Sequence, residues 1–246
     1  MWSDHTGQAR LEGVTGPHKT PVTQIEVGAG WKAAAMVDST TPDHPTAART
    51  LLAGTLYEEE EFDGVTLDAG SAEGCRFIDC GFGSLTVTGG DVQRSAWRGS
   101  RLRAVRFTGV GLARSNWLDT RVEGSAFSGC ELYGAQLRRV QFEGCLLDSV
   151  NLRGAVLREV TFTDCVLRHV DLGTATLTDV ALPGCTVERL DLTGATLSRV
   201  DLRGARIDLA RGFDRLRGAV IDQIQLLDLA PALADHLGLT VRGAQD

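Results

Sequence analysis

Lysine is almost missing from this chain of 246 residues, and it does not occur at all between Phe62 and Ile207. The cationic side chains of that segment are arginines, and its 17 arginines are balanced by 17 aspartates and glutamates. The whole chain has a formal net charge of −7. Proteins that bind nucleic acid usually carry a basic excess. The composition therefore argues against direct binding of nucleic acid.

Long apolar runs are also missing. No stretch approaches the roughly 18 consecutive apolar residues that indicate a transmembrane helix. The N-terminus does not place an apolar segment behind positive charges, as a secretory signal would. The sequence therefore predicts a cytoplasmic protein that does not insert into a membrane.

Residue sets that support catalysis are missing as well. The few histidines form no recognisable set with serine and aspartate, or with cysteine, that would activate a nucleophile. The glycines recur at five-residue spacing and do not form a phosphate-binding loop. We therefore predict that the protein is not an enzyme and binds no cofactor. The five histidines are His5, His18, His44, His169 and His236.

What the chain has instead is an apolar residue at every fifth position. The series runs without a break from Phe62 to Ile207, and Ala72 is its only small member. A period of five fits neither an α-helix, with 3.6 residues per turn, nor a strand, with a period of two. The backbone must therefore turn a corner every five residues and keep turning in the same direction.

Two further positions of the repeat support a solenoid. The residue two before each apolar position is mostly small or compact, which suits a tightly packed interior, and glycine is frequent two residues after it, where a turn needs a positive φ. A second period of 20 overlies the first, since Trp97 recurs as Trp117 and Phe142 as Phe162. Four sides of five residues therefore make one square turn. The segment 62–207 then gives roughly 7.5 turns and 36 Å at a strand spacing of about 4.8 Å.

All six cysteines occupy the compact position of the repeat. A zinc site would need converging ligands, and disulfides are rare in the cytoplasm. We therefore interpret the cysteines as buried core thiols and predict no metal site. They are Cys75, Cys80, Cys130, Cys145, Cys165 and Cys185.

Three domains follow from the pattern. Residues 1–56 lack the five-residue period and are predicted to form an irregular or disordered leader, in which residues 46–52 make a helical turn that covers the first turn of the solenoid. Residues 57–221 form the repeat domain, although its register breaks at Arg211-Gly212. Residues 222–246 form a C-terminal helix and tail.

The C-terminal helix is predicted from Gln223 to Leu237. Asp222 is its predicted N-cap, Pro231 predicts a kink or the start of a second helix, and Gly238 fits the C-terminal cap. Apolar residues occupy most of this segment and are expected to cap the solenoid and to contact a second copy. The candidate dimer interface comprises Ile224, Leu227, Leu229, Leu233 and Leu237.

Several five-residue runs resemble a known family. Four runs have the sequence (D/N)-L-x-x-A, and they are residues 151–155, 171–175, 191–195 and 201–205. They look like the A-(D/N)-L-x-x motif of the pentapeptide-repeat proteins, and the match covers about residues 57–207. The resemblance implies an all-β solenoid, a right-handed quadrilateral β-helix, here followed by a short α-helical segment.

A shorter resemblance concerns the C-terminus. Leu237-Gly238-Leu239, after an Asp-capped helix that contains glutamine, is similar to the end of the fluoroquinolone-resistance pentapeptide proteins that act on DNA gyrase. In those proteins the segment forms the dimer interface. The resemblance implies a homodimer that binds DNA gyrase or another type II topoisomerase, through a surface that imitates DNA.

The outward charges leave two interpretations open. Acidic side chains at 20-residue spacing form columns, which either imitate the phosphates of a duplex or bond to the turn backbone and pair with arginines. Likewise, the arginines that crowd residues 94–121 are either an ion-paired, solvated face or a partner-binding patch. The alternative function is a structural or regulatory scaffold with an unrelated protein partner. The candidate interaction surface comprises Asp91, Glu131, Asp171, Asp191, Asp68, Asp148 and Glu188.

Overall fold

The structure, a computed structural model, describes residues 48–242. Most of the predicted leader, residues 1–47, lies outside the described residues, as do residues 243–246. Within the described range the chain forms short parallel strands joined by turns, and one α-helix follows them. In chain order the elements are β1 (Ala48–Thr50), β2 (Leu56–Glu58), β3 (Glu61–Asp63), β4 (Thr66–Asp68), β5 (Arg76–Ile78), β6 (Gly81–Gly83), β7 (Thr86–Thr88), β8 (Ala96–Arg98), β9 (Arg101–Arg103), β10 (Arg106–Thr108), β11 (Asn116–Leu118), β12 (Arg121–Glu123), β13 (Ala126–Ser128), β14 (Gln136–Arg138), β15 (Gln141–Glu143), β16 (Leu146–Asp148), β17 (Val156–Thr163), β18 (Val166–Arg168), β19 (Thr176–Ala181), β20 (Thr186–Asp191), β21 (Thr196–Asp201), β22 (Arg206–Arg211), a 3-10 helix (Phe213–Leu216), β23 (Ala219–Val220) and α1 (Gln223–His236).

The strands stack on four faces. We number the faces in the order in which the chain reaches them from Tyr57 onwards. Face 1 contains Tyr57 and every twentieth residue after it, and faces 2, 3 and 4 start likewise at Phe62, Leu67 and Ala72. Between β2 and β22 each strand pairs in parallel with the strand about 20 residues further on, as Trp97 pairs with Trp117. Nine strands stack on face 3, so the solenoid exceeds the predicted 7.5 turns because strands lie before and after the regular segment. The predicted fold class, a four-sided β-helix with a C-terminal helix, is confirmed.

The interior consists of the two inward positions of each repeat. The residue at every fifth position and the compact residue two before it are buried along almost the whole β-helix. The position two residues after the apolar one has a positive φ, as the glycine pattern predicted. Sixteen residues other than glycine also adopt this φ, between 47° and 56°, so the turn accepts side chains and glycine is favoured there without being required.

Aromatic side chains stack where the 20-residue period places them above one another. The ring centroids of Trp97 and Trp117 are 4.8 Å apart with planes inclined by 6°, and those of Phe142 and Phe162 are 4.8 Å apart at 9°. The indole Nε1 of Trp117 donates to the Ser115 hydroxyl oxygen at 2.8 Å, and Trp97 makes the equivalent bond to Ser95. Serine at the compact position therefore satisfies the polar atom of a buried tryptophan.

The helical turn predicted for residues 46–52 is wrong, because residues 48–50 form β1, which pairs with β4. The open edge of β4 offers backbone N–H and C=O groups that a strand can satisfy and a helical turn cannot. β1 places Arg49 opposite Leu67, and the guanidinium carbon of Arg49 lies 4.3 Å from the centre of the Phe62 ring. The first turn is therefore covered by a strand whose arginine stacks on the end of the core.

At the other end, the lasting break in register lies between Arg211 and β23, a segment that includes the predicted break at Arg211-Gly212. Asp191 still pairs with Arg211 at a spacing of 20, but Val200 pairs with Ala219 at a spacing of 19. Within β22 a local bulge pairs Leu190 with Leu209. Leu209 is buried as a result. β23 then pairs with β21, and α1 follows as one helix with Pro231 inside it, so the second helix that Pro231 could start does not form. No helix in the described part of the chain is long and apolar enough to cross a membrane.

Candidate interaction surfaces

The acidic column on face 4 is made by single parallel bridges at 20-residue spacing. Asp91, Glu131, Asp171 and Asp191 lie in one line, but Gly111 and Asn151 interrupt it. The Asp171 carboxylate accepts from the backbone N–H of Gly173 at 2.7 Å, and Asp91 and Asp191 make the same bond two residues ahead. These carboxylates therefore stabilise the turns, as Asx turns do.

Cations reach into this column as well. The guanidinium of Arg153 is 3.2 Å from an Asp171 carboxylate oxygen, and that of Arg211 is 4.0 Å from Asp191. Partial burial raises the pKa of Asp191, but the hydrogen bonds from Thr193 and the nearby arginines outweigh burial and leave this pKa below its usual value. The arginines therefore neutralise part of the charge of this column.

The acidic column on face 3 is interrupted more strongly. Asp68 and Asp148 are separated by the hydroxyl residues Thr88, Thr108 and Ser128. Below Asp148, Arg168 separates it from Glu188, with its Nε 2.8 Å from a Glu188 oxygen and its Nη1 4.0 Å from an Asp148 oxygen. The predicted residues therefore lie in one line along the β-helix, as their spacing indicates. Acidic, basic and neutral side chains alternate in this line, so it is not one continuous acidic face.

Ion pairs also follow the corner between faces 1 and 2. Asp119 and Asp179 each bind the arginine 20 residues further on, Arg139 and Arg199, through two hydrogen bonds of 2.5 to 2.8 Å. The hydrogen bond from the arginine lowers the pKa of each of these aspartates. Such fully exposed pairs contribute little to stability, but they do cancel charge along this corner.

The arginine cluster of residues 94–121 divides into paired and unpaired members. Arg94 forms an ion pair with Glu73, Arg114 lies 5.9 Å from the Tyr133 ring centre, and Arg121 donates to Gln141 at 3.2 Å. The others have no acidic partner within ion-pair distance among residues 48–242. Those unpaired arginines are Arg98, Arg101, Arg103 and Arg106.

The C-terminal helix is fixed to the last turn of the β-helix by one side chain. Asp222 and Gln225 form a reciprocal capping box. The Gln225 amide nitrogen also donates to the backbone oxygens of Leu202 at 2.5 Å and Ala205 at 2.6 Å. The backbone N–H of Gln225 lowers the pKa of Asp222. Asp222 is therefore the N-cap, as predicted, and Gln225 holds the helix on open carbonyls of the β-helix.

The five residues of the predicted dimer interface lie on different sides of α1. Ile224, Leu227 and Leu237 are 72%, 67% and 69% exposed. Leu229 is buried and faces the last turn, and Leu233 is half-buried. The docking of α1 therefore uses Leu229 within the chain, and the outer face retains the other apolar side chains.

Replacing Gln225 with alanine is expected to loosen α1 from the β-helix. The change removes three hydrogen bonds of a buried side chain, at about 1 kcal/mol each, so hydrogen exchange of the α1 amides should accelerate by roughly 150-fold. Gln223→Ala, at an exposed position of the same helix, is the control and should change exchange little. Equal exchange rates in the two variants would contradict this role of Gln225.

Sequence reasoning named Asp222 but not Gln225 as a determinant of this end. The signal was present, because an aspartate followed three residues later by glutamine before an apolar run is the pattern of a capping box. What the pattern does not contain is the pair of carbonyls at Leu202 and Ala205, which Gln225 can reach because no further turn of the β-helix covers them.

The cysteines and histidines form no reactive centre in residues 48–242. All six thiols are buried, and burial raises the pKa of Cys75, Cys80 and Cys130. The backbone N–H of Cys145 lies 3.4 Å from the sulfur of Cys165 in the stacked column. No group of three or more possible metal ligands converges in the described residues. The thiols pack as core residues, as expected for this position.

The geometry defines a class of protein, a four-sided parallel β-helix whose last turn is covered by a capped helix. Residues 106–144 match the family model for pentapeptide repeats (8 copies), and residues 135–211 match that for a pentapeptide repeat region. Residues 106–211 of the β-helix therefore match pentapeptide repeats, and the resemblance to pentapeptide-repeat proteins is confirmed. No curated protein matches the chain.

Solved structures of pentapeptide-repeat proteins are also similar to the chain. A trypsin-treated form of QnrB1, a plasmid-mediated fluoroquinolone resistance protein, is 18% identical, with 76% of this chain and 100% of that chain covered and a TM-score of 0.31. HetL of Nostoc sp. strain PCC 7120, involved in heterocyst differentiation regulation, is 18% identical over 72% and 91%, with a TM-score of 0.35. Rfr23 of Cyanothece 51142 is 16% identical over 69% and 90%, with a TM-score of 0.28.

Proposed function

We propose that this protein is a non-enzymatic rod that binds other proteins. The observation that carries the proposal is a group of exposed apolar side chains at one end of the β-helix, namely Ile224 and Leu227 on α1 and Leu237 directly after it. Exposed apolar side chains that lie close together are typical of a contact surface. The β-helix interior is filled by side chains, so function is left to the outer surface.

The first partner we propose for this apolar group is a second copy. A two-fold axis would bring the same apolar side chains of both helices together, as isologous interfaces require. Leu229 and Leu233 would then hold α1 on its own β-helix, and the exposed residues would make the contact between copies.

The dimer is tested by light scattering on the full chain and on Ile224→Asp/Leu227→Asp. We expect the full chain to be a dimer and this variant a monomer, because two carboxylates would be buried without partners. Val156→Asp is the control, since Val156 is 42% exposed on face 1, away from α1, and should leave the dimer intact. A full chain that is already a monomer would contradict the dimer through α1.

The more specific proposal is that the rod binds and modulates DNA gyrase or another type II topoisomerase. It is supported by the sequence resemblance of Leu237-Gly238-Leu239 and by the acidic column on face 4. The interruptions by Gly111 and Asn151 and the cations at Arg153 and Arg168 count against close imitation of DNA. The alternative is a structural or regulatory scaffold with another protein partner.

A supercoiling assay with purified gyrase, with and without a quinolone, distinguishes these functions. The topoisomerase proposal expects micromolar protein to inhibit supercoiling or to restore it in the presence of the drug. Asp91→Asn/Glu131→Gln should weaken that effect, and Asp119→Asn, at the ion-paired corner, should not. No effect at micromolar protein would leave the scaffold function.

A further inference from the structure

Charge is distributed unevenly over the first turns of the β-helix. Residues 57–76, the acidic turn, contain seven acidic residues and one arginine. Residues 97–116, the arginine turn, contain five arginines and no acidic residue. Between them, residues 77–96 contain two acidic residues and one arginine. Two strongly and oppositely charged turns are thus separated by a nearly neutral one.

The charges of these turns on face 2 are not satisfied within residues 48–242. Glu61 and Asp63 of the acidic turn, and Arg101 and Arg103 of the arginine turn, have no ion-pair partner there. Arg101 also lies directly opposite Arg121 in the sheet, and like charges in that position repel each other, whereas Arg103 lies opposite Glu123. Glu61, Asp63 and Arg101 therefore have charges that an external partner could pair.

The turn between them has glycines on face 2, and the carboxylates of Glu61 and Asp63 lean over these glycines. β6 places Gly81 between Glu61 and Arg101, and Gly83 between Asp63 and Arg103. The missing side chains leave a shallow hollow of about 510 Å³. Because strands are about 4.8 Å apart, its acidic and basic walls are separated by roughly 10 Å. The hollow has one acidic edge, a glycine floor and one basic edge.

We propose that face 2 binds a second copy of this chain in antiparallel orientation, with a two-fold axis along β6. The axis exchanges the turns on either side of it, so Glu61 and Asp63 of one copy meet Arg101 and Arg103 of the second copy, and the reverse pairs form at the same time. The glycines of the two copies lie at the axis, and the backbones approach there when the carboxylates of Glu61 and Asp63, which lean over the glycines in the single chain, turn towards the arginines of the second copy. This surface is distinct from α1 and independent of the partner proposed above.

A second copy fits because the charge pattern is complementary to itself in only one orientation. Antiparallel copies place acid on arginine in both halves, as an isologous interface requires. Parallel copies would place acid on acid and arginine on arginine. Charges in register across a contact select the orientation of a complex and raise its rate of formation.

The contact is small, which determines its strength. Three turns of five-residue strands cover roughly 250 Å² per copy, well below the roughly 800 Å² per partner of a stable interface. Exposed ion pairs contribute at most about 1 kcal/mol each. The association is therefore weak, dependent on concentration and sensitive to salt, since the Debye length is only about 10 Å at 0.1 M.

A cysteine on the axis traps such a weak complex. In Gly83→Cys the two new thiols meet across the axis, so mild oxidation should give a disulfide-linked dimer at low salt and much less at high salt. A Cβ at Gly83 would meet only the end of the Asp63 side chain, at 2.5 Å, which can move. Thr163→Cys, on the same face four turns away, is the control and should not cross-link.

Charge exchange tests the orientation. In the Gly83→Cys background, Glu61→Arg/Asp63→Arg alone and Arg101→Glu/Arg103→Glu alone should each reduce cross-linking by about tenfold or more, because reversal turns several weak attractions into repulsions. A mixture of these two variants, one of them tagged, should cross-link to each other. The chain with all four exchanges should recover the original yield, which also shows that the exchanged residues permit folding.

Two results would overturn the proposal. Cross-linking at Gly83→Cys that is indifferent to both charge reversals would show random collision. Failure of the mixed variants to cross-link, with the four-exchange chain equally inactive, would show that the acidic and basic edges pair within one chain across the glycine floor.

Discussion

Replacing Trp117 with alanine is expected to lower the free energy of unfolding by about 3–5 kcal/mol, the range for deletion of a buried large aromatic side chain. Trp117 is fully buried, stacks on Trp97 at 4.8 Å, and pairs in the sheet with Leu137 on its other side. The loss removes one layer of the core together with its contacts to the turns above and below. Urea denaturation followed by far-UV circular dichroism measures the change.

The stacking and the hydrogen bond of Trp117 can be separated. Trp117→Phe keeps a stacked ring but removes the indole N–H that donates to Ser115. It should therefore lower the free energy of unfolding much less than Trp117→Ala does. Ser115→Ala leaves this buried N–H without a partner and should cost about 1–3 kcal/mol. Combining Ser115→Ala with Trp117→Phe should then add little to Trp117→Phe alone. A Trp117→Ala variant that loses less than about 1 kcal/mol would contradict the role of this layer.

The solenoid architecture predicts which turns Trp117→Ala destabilises. Each turn contacts only its neighbours, so stability is close to a sum of turn and interface contributions. Trp117→Ala weakens the interface between the turns that contain Trp97 and Trp117. The denaturation curve is therefore expected to broaden or to show two steps, as the two sides of the damaged layer uncouple.

The regular part of the fold could be predicted from the sequence because one local rule generates it. An apolar residue every fifth position fixes which side chains point inward, and the recurrence of Trp97 as Trp117 fixes four sides per turn. Even the ion pairs of Asp119 with Arg139 and of Asp179 with Arg199 follow from the same spacing of 20. The same pattern is repeated in every turn, so a single residue that departs from it does not change the predicted fold.

The ends could not be predicted in the same way, because there the rule stops. Arg49 takes an inward register position 18 residues before Leu67, and no apolar pattern indicates that an arginine would cover the Phe62 ring. Leu209 takes an inward position because a bulge in β22 pairs it with Leu190 at a spacing of 19, although Arg211 returns to a spacing of 20. In both cases the open edge of the neighbouring turn determines the pairing, and that edge exists only in the folded chain.

The positions of the candidate surface residues could be predicted from the sequence, but the net charge of their columns and the burial of their side chains could not. Asp68, Asp148 and Glu188 do lie on one line, yet Arg168 in the same line changes its sign. In α1 the apolar residues surround much of the helix, so periodicity alone did not separate Leu229, which is buried, from Leu227, which is exposed. Only the docking through Gln225 decides which side faces the β-helix.

Replacing Gly90 with alanine is the second change expected to have a large effect, with a loss of about 3 kcal/mol or more. Gly90 has a φ of +82°, beyond the left-handed values that other residues adopt in these turns. A Cβ there would lie 2.7 Å from the Ala69 Cβ and 2.9 Å from the Gly70 backbone nitrogen. Backbone strain of about 1–2 kcal/mol and overpacking of about 1–3 kcal/mol therefore add.

Gly109→Ala is the matched control for this second change. Gly109 also has a positive φ, of +62°, but a Cβ there would meet no atom within 4 Å. Gly109→Ala should lower the free energy of unfolding by about 1 kcal/mol, the ordinary cost of a side chain in the left-handed region. The difference between the two variants in urea denaturation then measures the close packing at Gly90 together with the extra strain of its larger φ. Equal losses would mean that the turn around Gly90 can move outward, and that the first turns are not packed as tightly as the stacked core implies.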